Sequence, residues 1–132
     1  MKKLMFFIFI ILVFTNAGKV SADTMYVTIS AYCPCEECCG DDADGSTSTG
    51  SNAYICNGVA VDPEIIPYGT ILRIPGVVGD RKADDTGIAM RDSWADKGVI
   101  LIDLRCEDHK KALKKSIRKS RGIIWEERKQ SF

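Results

Sequence analysis

No surplus of positive charge marks this chain. Its 18 Lys and Arg are balanced by 18 Asp and Glu over 132 residues, which argues against nucleic acid as a partner and gives no electrostatic pull toward anionic lipid. Histidine is nearly missing: His109 is the only one, and at the start of a predicted helix it is expected to cap or to face solvent. Long apolar runs are scarce. The one such run, Leu4 to Phe14, has 11 residues, well short of the ~20 that a bilayer span requires. There is no internal repeat, and the only compositionally biased stretch is the Gly-, Asp- and Ser-rich loop from Gly40 to Asn52.

The N-terminus supplies what those absences leave room for. Lys2 and Lys3 precede the apolar run, and Val20 and Ala22 put small residues at the −3 and −1 positions before Asp23. This is the layout of a secretory signal peptide over 1–22, with no cysteine nearby to carry a lipid. Removing 22 of 132 residues leaves a 110-residue domain, 23–132, that loses three lysines and no acid and so carries a net charge of about −3. The expected product is secreted, periplasmic or cell-wall associated, monomeric, and without stable membrane insertion once the signal is cleaved.

Apolar residues then recur in short strand-like runs: "MYVTISAYC", "GVAVD", "ILRIPG", "DTGIAMRD", "GVILIDLRC" and "IIWEE". "PEIIPYGT" reads as a turn. One segment reads as helix, about 107–121. Glu107 and Asp108 stand at its start and basic residues toward its end, Gly122 is a stop, and Ala112, Leu113, Ser116 and Ile117 form its apolar face. The pattern predicts a mainly β fold, a small barrel with a helix packed on it.

Three aspartates interrupt apolar strand sequence: Asp62 in "VAVDP", Asp85 in "ADDTG" and Asp103 in "LIDLR". An acid in such a setting is costly unless something uses it, and burial would raise its pKa toward that of a working acid. The bland alternative is a turn cap, or pairing with Arg73, Arg91 or Arg105. Tyr32, Thr47 and Thr49 could line a cleft beside them, while Trp94 and Trp125 are expected in the core or at its rim.

Together "VAVDPEIIPYGTILRIPG", "ADDTGIAM", "IDLR" and "DHKKAL" resemble the three-aspartate (3D) domain of bacterial exported proteins. The likeness runs from about Ala31 to the C-terminus. That family is similar to the catalytic barrel of membrane-bound lytic transglycosylase A and, more distantly, to rare lipoprotein A and the expansins. The resemblance implies a six-stranded double-psi β-barrel and peptidoglycan glycan strands as substrate, cleaved between N-acetylmuramic acid and N-acetylglucosamine. It also implies Asp103 as the acid/base, with Asp85 and Asp62 completing the catalytic acids. Tyr32, Thr49, Thr86 and Gly87 would be substrate-binding. "RDSWADKG" looks like an insertion, and a different register would make Asp92 the middle aspartate. The alternative function is an expansin-like wall-binding module without catalysis.

"CPCEECC" packs Cys33, Cys35, Cys38 and Cys39 together, with Cys56 and Cys106 elsewhere. In an exported chain an even number of cysteines favours disulfides. The expected pairing joins Cys56 to Cys106 and leaves two bridges inside the cluster, with Cys38 and Cys39 not joined to each other because a vicinal bridge is strained. No cofactor is then required. Zinc at the Cys33–Cys39 cluster is the alternative, with Cys56 or Cys106 as a possible outside ligand. Redox chemistry ranks last, since Glu36 and Glu37 would raise the thiol pKa values.

Overall fold

The computed structural model of the protein describes residues 22–115, 118–119 and 123–126. The predicted signal peptide lies outside them except for Ala22, as do Ser116, Ile117 and Gly122. Strands β1 (Ala22–Met25), β2 (Thr28–Tyr32), β3 (Gly58–Ala60), β4 (Ile71–Arg73), β5 (Arg81–Asp85), β6 (Leu101–Arg105), β7 (Arg118–Lys119) and β8 (Ile123–Glu126) are joined by helices α1 (Glu36–Cys39), α2 (Ile88–Lys97) and α3 (His109–Lys115). The strands form one sheet in the order β1-β8-β4-β5-β3-β6-β2-β7. The fold is sheet-rich, a curled half-barrel of five strands with three short helices. Among the described residues no helix is long and apolar enough to cross a membrane.

The centre of the sheet mixes strand directions. β2 runs parallel to β6, β3 runs parallel to β5, and β3 and β6 pair antiparallel. Strand alternation sends Ile29, Val59, Leu72, Ala83, Ile102 and Leu104 into one apolar core, where Val27, Val61, Ile66 and Ile74 join them. Ser30, Tyr32, Asp103 and Arg105 stand at the intervening positions of β2 and β6, in register as Ser30 opposite Asp103 and Tyr32 opposite Arg105. One face of this central pair is therefore apolar and the other polar.

Three sequence expectations need correction. "DTGIAMRD" is not a strand: β5 ends at Asp85, Gly87 caps the next element, and Ile88–Lys97 is helix. α2 buries only Met90 and Ser93, and it ends at Gly98 with φ 63°, whose N–H returns to the Trp94 carbonyl. So narrow a buried face leaves no helical periodicity to read. The late helix is shorter than 107–121, because Arg118 and Lys119 pair with Ile29 and Thr28 as strand. Its start was legible: the Asp108 carboxylate accepts the Lys111 N–H at 2.8 Å. "MYVTISAYC" is two strands broken at Tyr26–Val27.

Candidate functional site

A cavity of about 440 Å³ opens on the polar face, lined among others by Tyr32, Thr47, Ser48, Asp85, Thr86 and Asp103. β6 delivers Asp103 to it. The neighbouring β2 strand places Ser30 to donate to Asp103 Oδ1 at 2.9 Å. Burial pushes the Asp103 carboxyl up to about 6; the Ser30 hydrogen bond opposes that rise and the nearby Asp85 charge adds to it.

Asp85 is shifted the other way. Burial alone would raise its pKa, but hydrogen bonds to its carboxylate outweigh this and hold it below the ordinary carboxylate value. Tyr32 Oη donates to Oδ2 at 2.7 Å. Ser48 donates to Oδ1 through its backbone N–H at 2.9 Å and its hydroxyl at 2.7 Å, and the Thr86 N–H donates to the same oxygen at 2.9 Å. Ser48 belongs to the "TSTG" turn, closed by Gly50 N–H to Thr47 carbonyl at 2.8 Å and pinned by Thr49 Oγ1 to the Asp84 carbonyl at 2.7 Å.

A register shift near Val59 and Ala60 inserts one extra residue in β5 against β3. Such a bulge lets adjacent residues serve one side of a sheet. Asp84 meets the buried Arg105 in a two-point ion pair, Nη1 to Oδ1 at 2.9 Å and Nη2 to Oδ2 at 2.8 Å, while Asp85 faces the cavity. Arg105 Nη1 also donates to Tyr32 Oη at 3.2 Å, so the ion pair braces the phenol that holds Asp85. Gly58 is required here: a Cβ on it would lie 2.2 Å from Arg105 Nη2 and 2.3 Å from Asp84 Oδ1.

The expected site residues thus divide. Asp103, Asp85, Tyr32, Thr86 and Gly87 come together at the cavity. Asp62 does not line it; the Asp62 carboxylate caps the following turn, accepting the Glu64 N–H at 3.0 Å. Thr49 is occupied with the Asp84 carbonyl instead, and its neighbours Thr47 and Ser48 line the wall. Asp92 and Trp94 sit on exposed positions of α2, outside the lining, and the side chain of Trp125 lies outside the described residues. Sequence reasoning missed Ser30, Ser48 and the Asp84–Arg105 pair. The double acid "DD" and the serine two residues before Tyr32 were the available signals.

All six cysteines are free, including Cys56 and Cys106. Cys33, Cys35 and Cys38 instead form a group with His109, a set whose ligand atoms all lie within 4.8 Å of one another and which could hold a metal ion. His109 therefore does not merely face solvent: its Nδ1 is 3.3 Å from Cys38 Sγ and 3.7 Å from Cys35 Sγ. Cys39 turns away and donates to the Cys33 carbonyl at 3.3 Å. Burial pushes the Cys33 thiol up to about 12, while the hydrogen bond it gives Cys35 draws that thiol down to about 7. Cys38, Cys39 and Pro34 reach the cavity wall, so the cluster and the carboxylates share a boundary.

No family model matches the chain, and no curated protein matches it.

Proposed function

We infer that the protein is an exported peptidoglycan-cleaving enzyme of the lytic transglycosylase type. The observation that carries this reading is that two carboxyls share one cavity in environments that move them apart: Asp103, buried with the single Ser30 hydrogen bond, is raised to about 6, while Asp85, held by Tyr32, Ser48 and Thr86, lies below its ordinary value. Such splitting assigns an acid and a fixed negative charge within one site.

In this reaction Asp103 donates its proton to the glycosidic oxygen as that bond breaks. The Asp85 carboxylate stabilises the positive charge developing on the sugar ring. The C6 hydroxyl of the same sugar then attacks the anomeric carbon, and its proton passes to the Asp103 carboxylate. The acid is regenerated and a 1,6-anhydro sugar is released, so no water is consumed and no second proton carrier is needed. The resemblance to the three-aspartate domain supports the substrate class. The two parallel strand pairs joined by antiparallel β3 and β6 support reading the half-barrel as part of a double-psi barrel.

The test is digestion of purified sacculi followed by mass spectrometry of the soluble fragments. Anhydro-muropeptides are expected from the native enzyme, with a loss of roughly 10²–10⁴-fold in Asp103→Asn. A wall-binding module would instead retain sacculi without releasing fragments.

A further inference from the structure

We propose that Cys33, Cys35, Cys38 and His109 form a closed, structural zinc site that anchors the wall of the cavity. The proposal is independent of the glycan reading. A tetrahedral ion bound at about 2.3 Å to sulfur and about 2.0–2.1 Å to nitrogen separates its ligands by about 3.5–3.8 Å, and three of the separations here lie within about 0.3 Å of that. Cys33 and Cys38 are 3.5 Å apart, Cys38 and His109 Nδ1 3.3 Å, and Cys35 and His109 Nδ1 3.7 Å. Of these four separations the Cys33–Cys35 one, 2.8 Å, must open most, and all the ligand atoms lie within 4.8 Å of one another.

Local structure explains the convergence. The Cys38 and Cys39 N–H groups both return to the Cys35 carbonyl, at 3.0 and 2.9 Å. This tight turn swings Cys38 back over Cys35. The Cys106 N–H bonds to the Tyr32 carbonyl at 2.7 Å, which keeps the chain leading into α3 beside the chain leading out of β2 and brings His109 to the sulfurs.

Two features favour a metal over disulfides. Three thiols cannot all pair with one another, and the fourth nearby, Cys39, points to a carbonyl. An imidazole adds nothing to a disulfide, yet His109 is oriented as a ligand would be. Its Nδ1 faces the sulfurs while its Nε2 meets Glu37 Oε2 at 2.9 Å, the carboxylate support that fixes a metal-bound histidine. Binding displaces the thiol protons to solvent. Three soft thiolates and one imidazole suit zinc, and four protein ligands leave no open position for water or substrate. The site's effect is mechanical: it ties the segment carrying Pro34, Cys38 and Cys39 to α3.

The full chain, purified without chelator, should carry about one zinc, measured by elemental analysis. Exchange for cobalt should produce the visible bands of a tetrahedral thiolate site, a readout on native protein that needs no variant. Cys38→Ser and His109→Asn should weaken binding by more than ~100-fold, and Glu37→Gln by about 10–100-fold. Cys39→Ser and Cys56→Ser should leave both zinc content and the cobalt spectrum unchanged. Absence of zinc together with absence of tetrahedral cobalt bands would overturn the proposal. So would peptide mapping that finds Cys33, Cys35 or Cys38 in disulfides, or a Cys39→Ser variant that loses metal as Cys38→Ser does.

Discussion

Asp103 sits two residues from Arg105 on one strand, yet the arginine neutralises a different acid. Arg105 is committed to Asp84, and the hydrogen bond Asp103 receives comes from Ser30. This division leaves burial free to raise the Asp103 carboxyl, and it has a consequence for stability. The carboxyl has a value of about 6 in the fold against 3.8 ordinarily. Below about pH 3 both folded and unfolded chains hold the proton, and nothing is lost. As pH rises through the folded value, the unfolded chain is favoured because it ionises more readily, and about 3 kcal/mol of stability is gone above pH 6. Asp103→Asn should therefore raise stability by up to about 3 kcal/mol at pH 8 and leave it unchanged near pH 3, as measured by denaturant unfolding at the two pH values. Catalysis should move the other way. Native activity on sacculi should fall above about pH 6. In Asp85→Asn, where no neighbouring charge opposes ionisation of Asp103, that alkaline limb should shift to lower pH. An unmoved limb would separate Asp103 from the profile.

The central elements owe their division of labour to the extra residue in β5. Without it, Asp84 and Asp85 would point to opposite faces, as alternate strand residues do. With it, one acid pairs with Arg105 and the other faces the cavity. An ion pair this buried is costly to break from one side, because the surviving charge has no partner. Asp84→Asn should cost about 3–5 kcal/mol, and the double variant Asp84→Asn with Arg105→Met should recover much of the loss. Equal losses in single and double variants, by the same unfolding measurement, would contradict the account. Gly58→Ala tests this arrangement from the backbone, since the added methyl would displace both partners. Sequence reading could not see the bulge, because register between strands is set by tertiary pairing and leaves little mark on the local pattern.

At the scale of the whole molecule, what the sequence exposed were the features written in local chemistry. The mainly β character follows from short runs such as "VILIDL", and the start of α3 from Asp108. The cost of acids in apolar strands singled out Asp85 and Asp103, which the fold brings to one cavity. What escaped were features made by distant segments meeting. His109 is 71 positions from Cys38 and reads as a surface residue until α3 is placed beside β2. Asp62 shares the apolar setting of the other two acids, but its partner is a backbone N–H two residues on, so the same sequence signal marks a turn cap. The molecule that results sets a carboxylate cavity and a thiol–imidazole cluster against a common wall.

The most direct test of the proposed acid role of Asp103 is digestion of sacculi in heavy-oxygen water, with product ends read by mass spectrometry. The native protein should release anhydro ends without solvent oxygen, and Asp103→Asn should release almost none. Reducing ends that carry solvent oxygen, or anhydro ends that persist in Asp103→Asn, would contradict the account.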